Sequence, residues 1–352
     1  RITSFPEPRN PDKEVGPKPP PPGAPLTWKF ADVHERLAAQ DLVLDLAQLR
    51  ALHAAWRAHT HKHFVLLTGL SGTGKTQVVL RYARAVCDLL DLAPEQHIAL
   101  VPVSPEWHDP TALLGYVNPL RAEASFHPGP LLPLLLHAVE EPDKPHFLVL
   151  DEMNLAPVER YFAPFLSAME SGEALPLHHE DEDVGGVPPS LPWPKNLFVA
   201  GTVNMDETTH PFSDKVLDRA FTLEYWDVDL DALFKKLDHG HEAFPMTADV
   251  LSAMHDALRP ARRHFGYRSA REVIDFVFAG VEETGAPALD FLDAAVFGKV
   301  LPRVRGDDTP AMRKALDDAA TVAKRHGLLR SQAKLEAMIE QLGRTGLTKF
   351  HA

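Results

Sequence analysis

Cysteine is nearly absent: the 352 residues hold one, Cys87, which excludes an internal disulfide framework and any cysteine-based zinc site. Long apolar runs are missing too. The stretch from Leu131 to Leu136 is broken by Pro133, so no transmembrane helix is expected. No signal peptide is visible, and the expected compartment is the cytoplasm. Positive charge is in deficit: 36 Lys and Arg against 49 Asp and Glu leave a formal net charge of −13. That balance argues against a basic protein that coats nucleic acid, although a locally basic pore stays open. Internal repeats are also absent. What remains is ordinary globular material, 45% hydrophobic and 24% charged, long enough for one large or two medium domains.

Proline is plentiful and unevenly placed. Nine of the first 25 residues are proline, with charges between them. Such a composition predicts a semi-rigid polyproline linker over residues 1–26, and with Arg1 opening the chain a further upstream domain is expected. Beyond it, residues 28–58 show apolar spacing of helical period. Short apolar runs at 63–69, 98–103, 146–152 and 196–204 read as buried strands, and residues 77–90 as a helix with Cys87 on its core side. Four strands separated by helical stretches predict a parallel, three-layer α/β domain over residues 27–229. After about Trp226 the strand signals stop, and residues 230–352 read as a domain of amphipathic helices.

The segment GLSGTGKT (69–76) fits the pattern G-x-x-x-x-G-K-[ST] between a strand and a helix. At a glycine frequency of about 7%, a chance match in a chain of this length is roughly a one-in-a-hundred event. Gly69, Gly72, Thr73 and Gly74 would form a loop whose amides face a phosphate, at a helix N-terminus with favourable dipole. Lys75 would reach the β- and γ-phosphates, and the Thr76 hydroxyl would hold Mg²⁺. FLVLDE (147–152) is an apolar strand ending in Asp151, expected to support the metal, and Glu152, expected to polarise a water. Asn204, at the end of NLFVAGTVN, would orient that water.

Other polar clusters carry less. HHEDED (178–183) reads as a solvated loop and HTHKH (59–63) as a polar turn; the nineteen histidines are scattered in sequence. Ser71 and Ser104 have no His-Asp pattern beside them. No nuclease pattern is present.

Together these features resemble the AAA+ NTPases. DPTALLGYVNPLRAEASFHPGPLLPLLL (109–136) looks like the hairpin inserted in the branch that contains McrB, MoxR, dynein and midasin, and DEMNLAPVERYFAPFLSAME (151–170) is similar to that branch's acidic element. GTVNMDETTHPFSDKVLDRAF (201–221), FGYRSAREV (265–273), FGKVLPRVRGD (297–307) and the tail TGLTKFHA resemble the McrB-type motor subunits of modification-dependent restriction systems. The resemblance implies an AAA+ core with a helical lid, a homo-oligomeric, six-membered ring, Mg²⁺, and ATP or GTP. It implies an McrC-like nuclease partner, and DNA reached through the complex or an absent N-terminal domain, with no membrane. Arg219 falls at the arginine finger that enters a neighbouring subunit's site, and Arg268 at the second sensor, with Arg271 as its rival. Arg160 is a further interface candidate. Of the MNTAD-type residues associated with GTP use, the stretch Val203 to Glu207 keeps only Asn204, which points towards ATP. A MoxR- or midasin-like remodelling chaperone would use the same core. A nucleotide-gated scaffold is a third reading, which Glu152 opposes.

Overall fold

A computed structural model describes residues 28–40, 43–118, 125–205, 210–237 and 240–351. The proline-rich linker at 1–26, and Asp206 and Glu207 after the asparagine, lie outside the described residues.

Five parallel strands form the central sheet: β1 (Phe64–Gly69), β2 (Ile98–Pro102), β3 (His146–Asp151), β4 (Leu197–Asn204) and β5 (Phe221–Tyr225). Their spatial order is β2-β3-β4-β1-β5. Four of these are the apolar runs read from the sequence. The fifth is a correction to the expectation of four. FTLEY lies at the sheet edge and is exposed at three of its five positions, so it carries no continuous apolar signal. β4, by contrast, is buried at all eight positions, as a strand covered on both faces must be.

Alternation along the strands sends side chains to two separate cores. Val65, Leu67, Phe147, Val149, Phe198 and Ala200 face α1 (Leu46–Arg57) and α2 (Lys75–Leu89). Leu66, Leu148, Leu150 and Val199 face α3 (Leu132–Glu140) and α4 (Ala163–Ser171) on the opposite side. This is the three-layer α/β architecture expected. Cys87 is buried in α2, and burial pushes its thiol up to about 12, so it is a packing residue. His63 departs from the polar-turn reading. It is buried, stacks on Phe198 at 4.4 Å, and is held neutral by burial, its pKa pushed down to about 4.

The inserted segment forms an antiparallel hairpin, Gly115–Asn118 against Ser125–Pro128. Residues 179–183 are exposed, in agreement with a solvated loop. From Leu230 onward the chain is helical and closes a third core of its own, in which Val250, Leu258, Ile274, Leu292, Leu316 and Leu335 are buried. One feature there was not legible as helix. The tail strand Leu347–Lys349 pairs antiparallel with Arg305–Asp307, and the Thr348 hydroxyl donates to Met338 O at 3.1 Å. No helix among the described residues is long and apolar enough to cross a membrane.

Trp56 joins α1 to the sheet. Its ring is fully buried against Tyr82, Phe147 and Phe198, and its indole N–H donates to Val199 O at 3.1 Å. Trp56→Ala is expected to cost about 3–5 kcal/mol in urea denaturation. A loss below about 1 kcal/mol would show that the layer closes without it.

Candidate functional site

β1 ends at Gly69, which pairs with Asn204 across the ladder, and the chain turns through residues 70–74 into α2. Gly72 (φ 82°) and Gly74 (φ 89°) both take the left-handed backbone that side chains disfavour. The Thr73 hydroxyl and the Lys75 ammonium both donate to Leu70 O, at 2.9 and 2.7 Å, and Lys75 also reaches Gly69 O at 3.3 Å. The loop is thus closed over its own carbonyls. The first turn of α2 has no side-chain cap, so its amides point into the space the loop encloses.

Beside the loop, one oxygen of Asp151 accepts two hydroxyls: Thr76 at 2.6 Å and Thr202 at 2.7 Å. Thr202 also accepts the backbone N–H of Glu152 at 3.0 Å, and the Asn204 amide donates to Glu152 Oε1 at 2.9 Å. Thr202 and Asn204 are two apart on β4 and so face the same way. Glu152 is left-handed at φ 54°, a conformation that costs a non-glycine residue about 1–3 kcal/mol and aims its carboxylate at the end of β4. Thr202 was missed by the sequence reading; its signal was its place one pleat before Asn204.

The helical part closes the site from above. The helix α5 (Tyr267–Thr284) begins after Gly266, and Arg268 N donates to Gly72 O at 3.3 Å. A Cβ at Gly266 would fall 2.5 Å from both C and O of Gly72, so only glycine permits this approach. A cavity of about 200 Å³ lies at the junction, lined by Gly72, Gly74, Gln77, Tyr267, Arg268 and Arg271 among others. Both candidates for the second sensor therefore line the same space.

Arg219 stands outside the Thr76–Asp151–Asn204 network. Its Nη1 donates to Lys215 O at 2.8 Å, and its Nε lies 3.6 Å from Glu170, which also pairs with Lys62 at 2.8 Å. Arg160 is exposed on the short helix Val158–Tyr161.

Residues 64–221 match the family model of the AAA domain (dynein-related subfamily). This stretch is an AAA+ domain. Residues 229–347 match a second family model, described as a domain of unknown function (DUF8727). No curated protein matches the chain. Among solved structures the chain is similar to the crystal structure of NtrX from Brucella abortus, at 15% identity and a TM-score of 0.45, over 89% of this chain and 71% of that one. So distant a likeness says nothing about activity. An AAA+ domain with a helical lid binds a nucleoside triphosphate, usually with Mg²⁺. The residues fit: a carboxylate already sharing an oxygen with the Thr76 hydroxyl matches the hard oxygen donors such an ion takes.

The lid junction makes a sharp expectation. Gly266→Ala should weaken nucleotide binding by about tenfold or more, equivalent to about 1.4 kcal/mol, with the far-UV circular dichroism unchanged. Unchanged affinity in equilibrium dialysis would show that the approach of Gly266 to Gly72 has no part in binding.

Proposed function

We propose that the protein is a nucleoside-triphosphatase that assembles into a ring of six subunits and drives an McrBC-like, modification-dependent DNA restriction complex with an McrC-like nuclease. The observation that carries the hydrolytic part is the joined network Thr76–Asp151–Thr202 and Asn204–Glu152 beside the phosphate loop. The restriction role rests on the sequence segments 201–221, 265–273 and 297–307. A remodelling chaperone is the second reading, favoured by the net charge of −13, which opposes a DNA-facing surface. Stimulation of turnover by modified DNA, and not by unfolded protein, distinguishes the two.

In this reading Lys75 and the loop amides hold the phosphates, while Thr76 and Asp151 hold the metal. When bound, Mg²⁺ supplies positive charge to the β- and γ-phosphate oxygens. Glu152, oriented by Asn204, takes the proton of the attacking water. Arg268, with Arg271 beside it, faces the γ-phosphate from the lid, and Arg219 enters the site of the next subunit. ATP is the proposed nucleotide, because only Asn204 survives of the GTP-associated residues. A preference for GTP above about tenfold in kcat/KM, or about 1.4 kcal/mol, would overturn that choice.

Glu152→Gln should keep nucleotide binding and lose turnover by about 10²-fold or more, whereas Lys75→Ala should lose binding itself. Equal hydrolysis by wild type and Glu152→Gln would remove Glu152 from the chemistry.

Arg219 has its own test. An arginine finger supplied in trans contributes about 10³–10⁵ in rate in related phosphoryl-transfer systems. Arg219→Ala should bind nucleotide normally and hydrolyse poorly. Mixed with Lys75→Ala subunits, it should recover part of its activity, since the mixture places an intact Arg219 against an intact phosphate loop. Mixed rings that stay as inactive as their components would show that Arg219 does not act across an interface.

A further inference from the structure

At the opposite end of the sheet from the phosphate loop, four side chains converge that the proposed function does not use. His97 closes the short helix Pro94–His97 just before edge strand β2; His146 is the first residue of β3; His137 lies on α3 and Glu141 caps its C-terminus. Each offers one ligand atom, and those atoms all lie within 4.8 Å of one another. In sequence the three histidines are 40 and 9 residues apart, a spacing that matches no metal motif. The fold alone brings them together.

The hydrogen bonds decide which nitrogens are available. His97 Nδ1 lies 3.0 Å from Pro145 O, His146 Nδ1 3.1 Å from Lys144 O, and His137 Nδ1 3.2 Å from Gln96 O. A carbonyl only accepts, so His97 and His146 carry their protons on Nδ1 and leave Nε2 unprotonated. His137 Nδ1 also lies 3.1 Å from His146 Nε2, so its proton is shared between that nitrogen and Gln96 O, and an ion at the site turns it to Gln96 O. This is the outer-shell arrangement that fixes histidine ligands on metals. Asn196 Nδ2 also lies 3.2 Å from His146 Nδ1. It has nearer acceptors, however, in the carbonyls of Ala138, Glu141 and Lys144 at 2.8–2.9 Å, so the His146 Nδ1–H still donates to Lys144 O. On Glu141, Lys144 takes Oε1 at 2.6 Å. The other oxygen, Oε2, is buried without a hydrogen-bond partner and faces His97 Nε2 at 3.5 Å and His137 Nε2 at 3.3 Å. A tetrahedral ion with bonds of about 2.0–2.1 Å needs ligand separations of about 3.3 Å, close to these two edges. His97 and His146 are buried and His137 and Glu141 partly so, which keeps water from competing.

We infer that His97, His137 and His146, through Nε2, and Glu141, through Oε2, form a binding site for a divalent transition-metal ion of the Zn²⁺ class. Four protein ligands leave no open position, so the ion is structural. It clips α3 to the starts of β2 and β3, the edge pair of the sheet. Imidazole donors separate it in kind from the oxygen site at Thr76 and Asp151, which suits Mg²⁺.

The test uses the untagged full chain, stripped with a chelator and titrated with Co²⁺ or Zn²⁺ in excess Mg²⁺ so that the oxygen site is filled. One Co²⁺ per chain, with the intense visible bands of a four-coordinate ion and displacement by Zn²⁺, is expected, together with a rise in Tm. Glu141→Gln and His137→Gln should each weaken Zn²⁺ binding by more than about 100-fold, beyond the usual effect of losing an outer-shell partner. Absence of stoichiometric binding by the wild type would mean the cluster is only a hydrogen-bonded network and overturn the site. Binding unchanged in both variants would place the ion elsewhere and overturn it equally. Should the variants fail to fold, X-ray absorption at the zinc edge of the wild type still decides. Three imidazoles and one oxygen support the site; any other ligand set refutes it.

Discussion

One carboxylate oxygen holds the nucleotide side of this molecule in register. Asp151 Oδ1 accepts the hydroxyls of Thr76 and Thr202, so three segments far apart in sequence meet at a single atom. Hydrogen bonds to a charged group contribute about 1.5–3 kcal/mol each, and leaving such a group unpaired costs more. A slip of β4 by one residue would turn Thr202 and Asn204 to the other face and undo both this contact and the one to Glu152. The apolar burial of β4 on both sides prevents that slip. Core packing fixes the strand, and the strand places the polar ends.

The same logic separates what was legible in the sequence from what was not. The phosphate loop, the acidic strand end and the strand-end asparagine all announce themselves through local pattern, and four strands through continuous apolar runs. β5 did not, because an edge strand need not be apolar. Thr202 escaped because a threonine in a buried strand looks like ordinary β-branched packing; only the strand pairing reveals its partner. Gly266 escaped because its reason is a contact with Gly72, almost two hundred residues away. The left-handed backbone of Glu152 has no sequence signature at all for an acidic residue. His97, His137 and His146 read as scattered for a like reason: their proximity is made by sheet order.

The two ends of the sheet also differ in what they demand. At the C-terminal ends of the strands, Glu152 is held in a disfavoured conformation, and Lys75 is folded onto loop carbonyls that compete with any phosphate for its ammonium. Such strain persists only where the surroundings over-determine it. The N-terminal ends are tied instead by carbonyl and amide contacts around Asn196, which donates to the backbone at Ala138, Glu141 and Lys144. A rigid base under a strained rim is what a site needs if the rim is to rearrange and the sheet is not.

The arginines complete this picture in the proposed ring. Arg268 is carried by the lid helix, whose approach to the loop depends on bare backbone at Gly72 and Gly266, so the lid can lift without breaking side-chain packing at that point. Arg219 rests on Glu170 at 3.6 Å, and Glu170 is about half exposed and already shared with Lys62. A pair exposed on the Glu170 side contributes about 0–1 kcal/mol, which leaves the single hydrogen bond to Lys215 O at 2.8 Å as the other restraint on Arg219 in the proposed ring. The half-buried Asp151 network, with two hydroxyls on one oxygen, resists change more than the Arg219 and lid contacts do. Hydrolysis at the first would therefore move the second, because motion follows the weaker restraints.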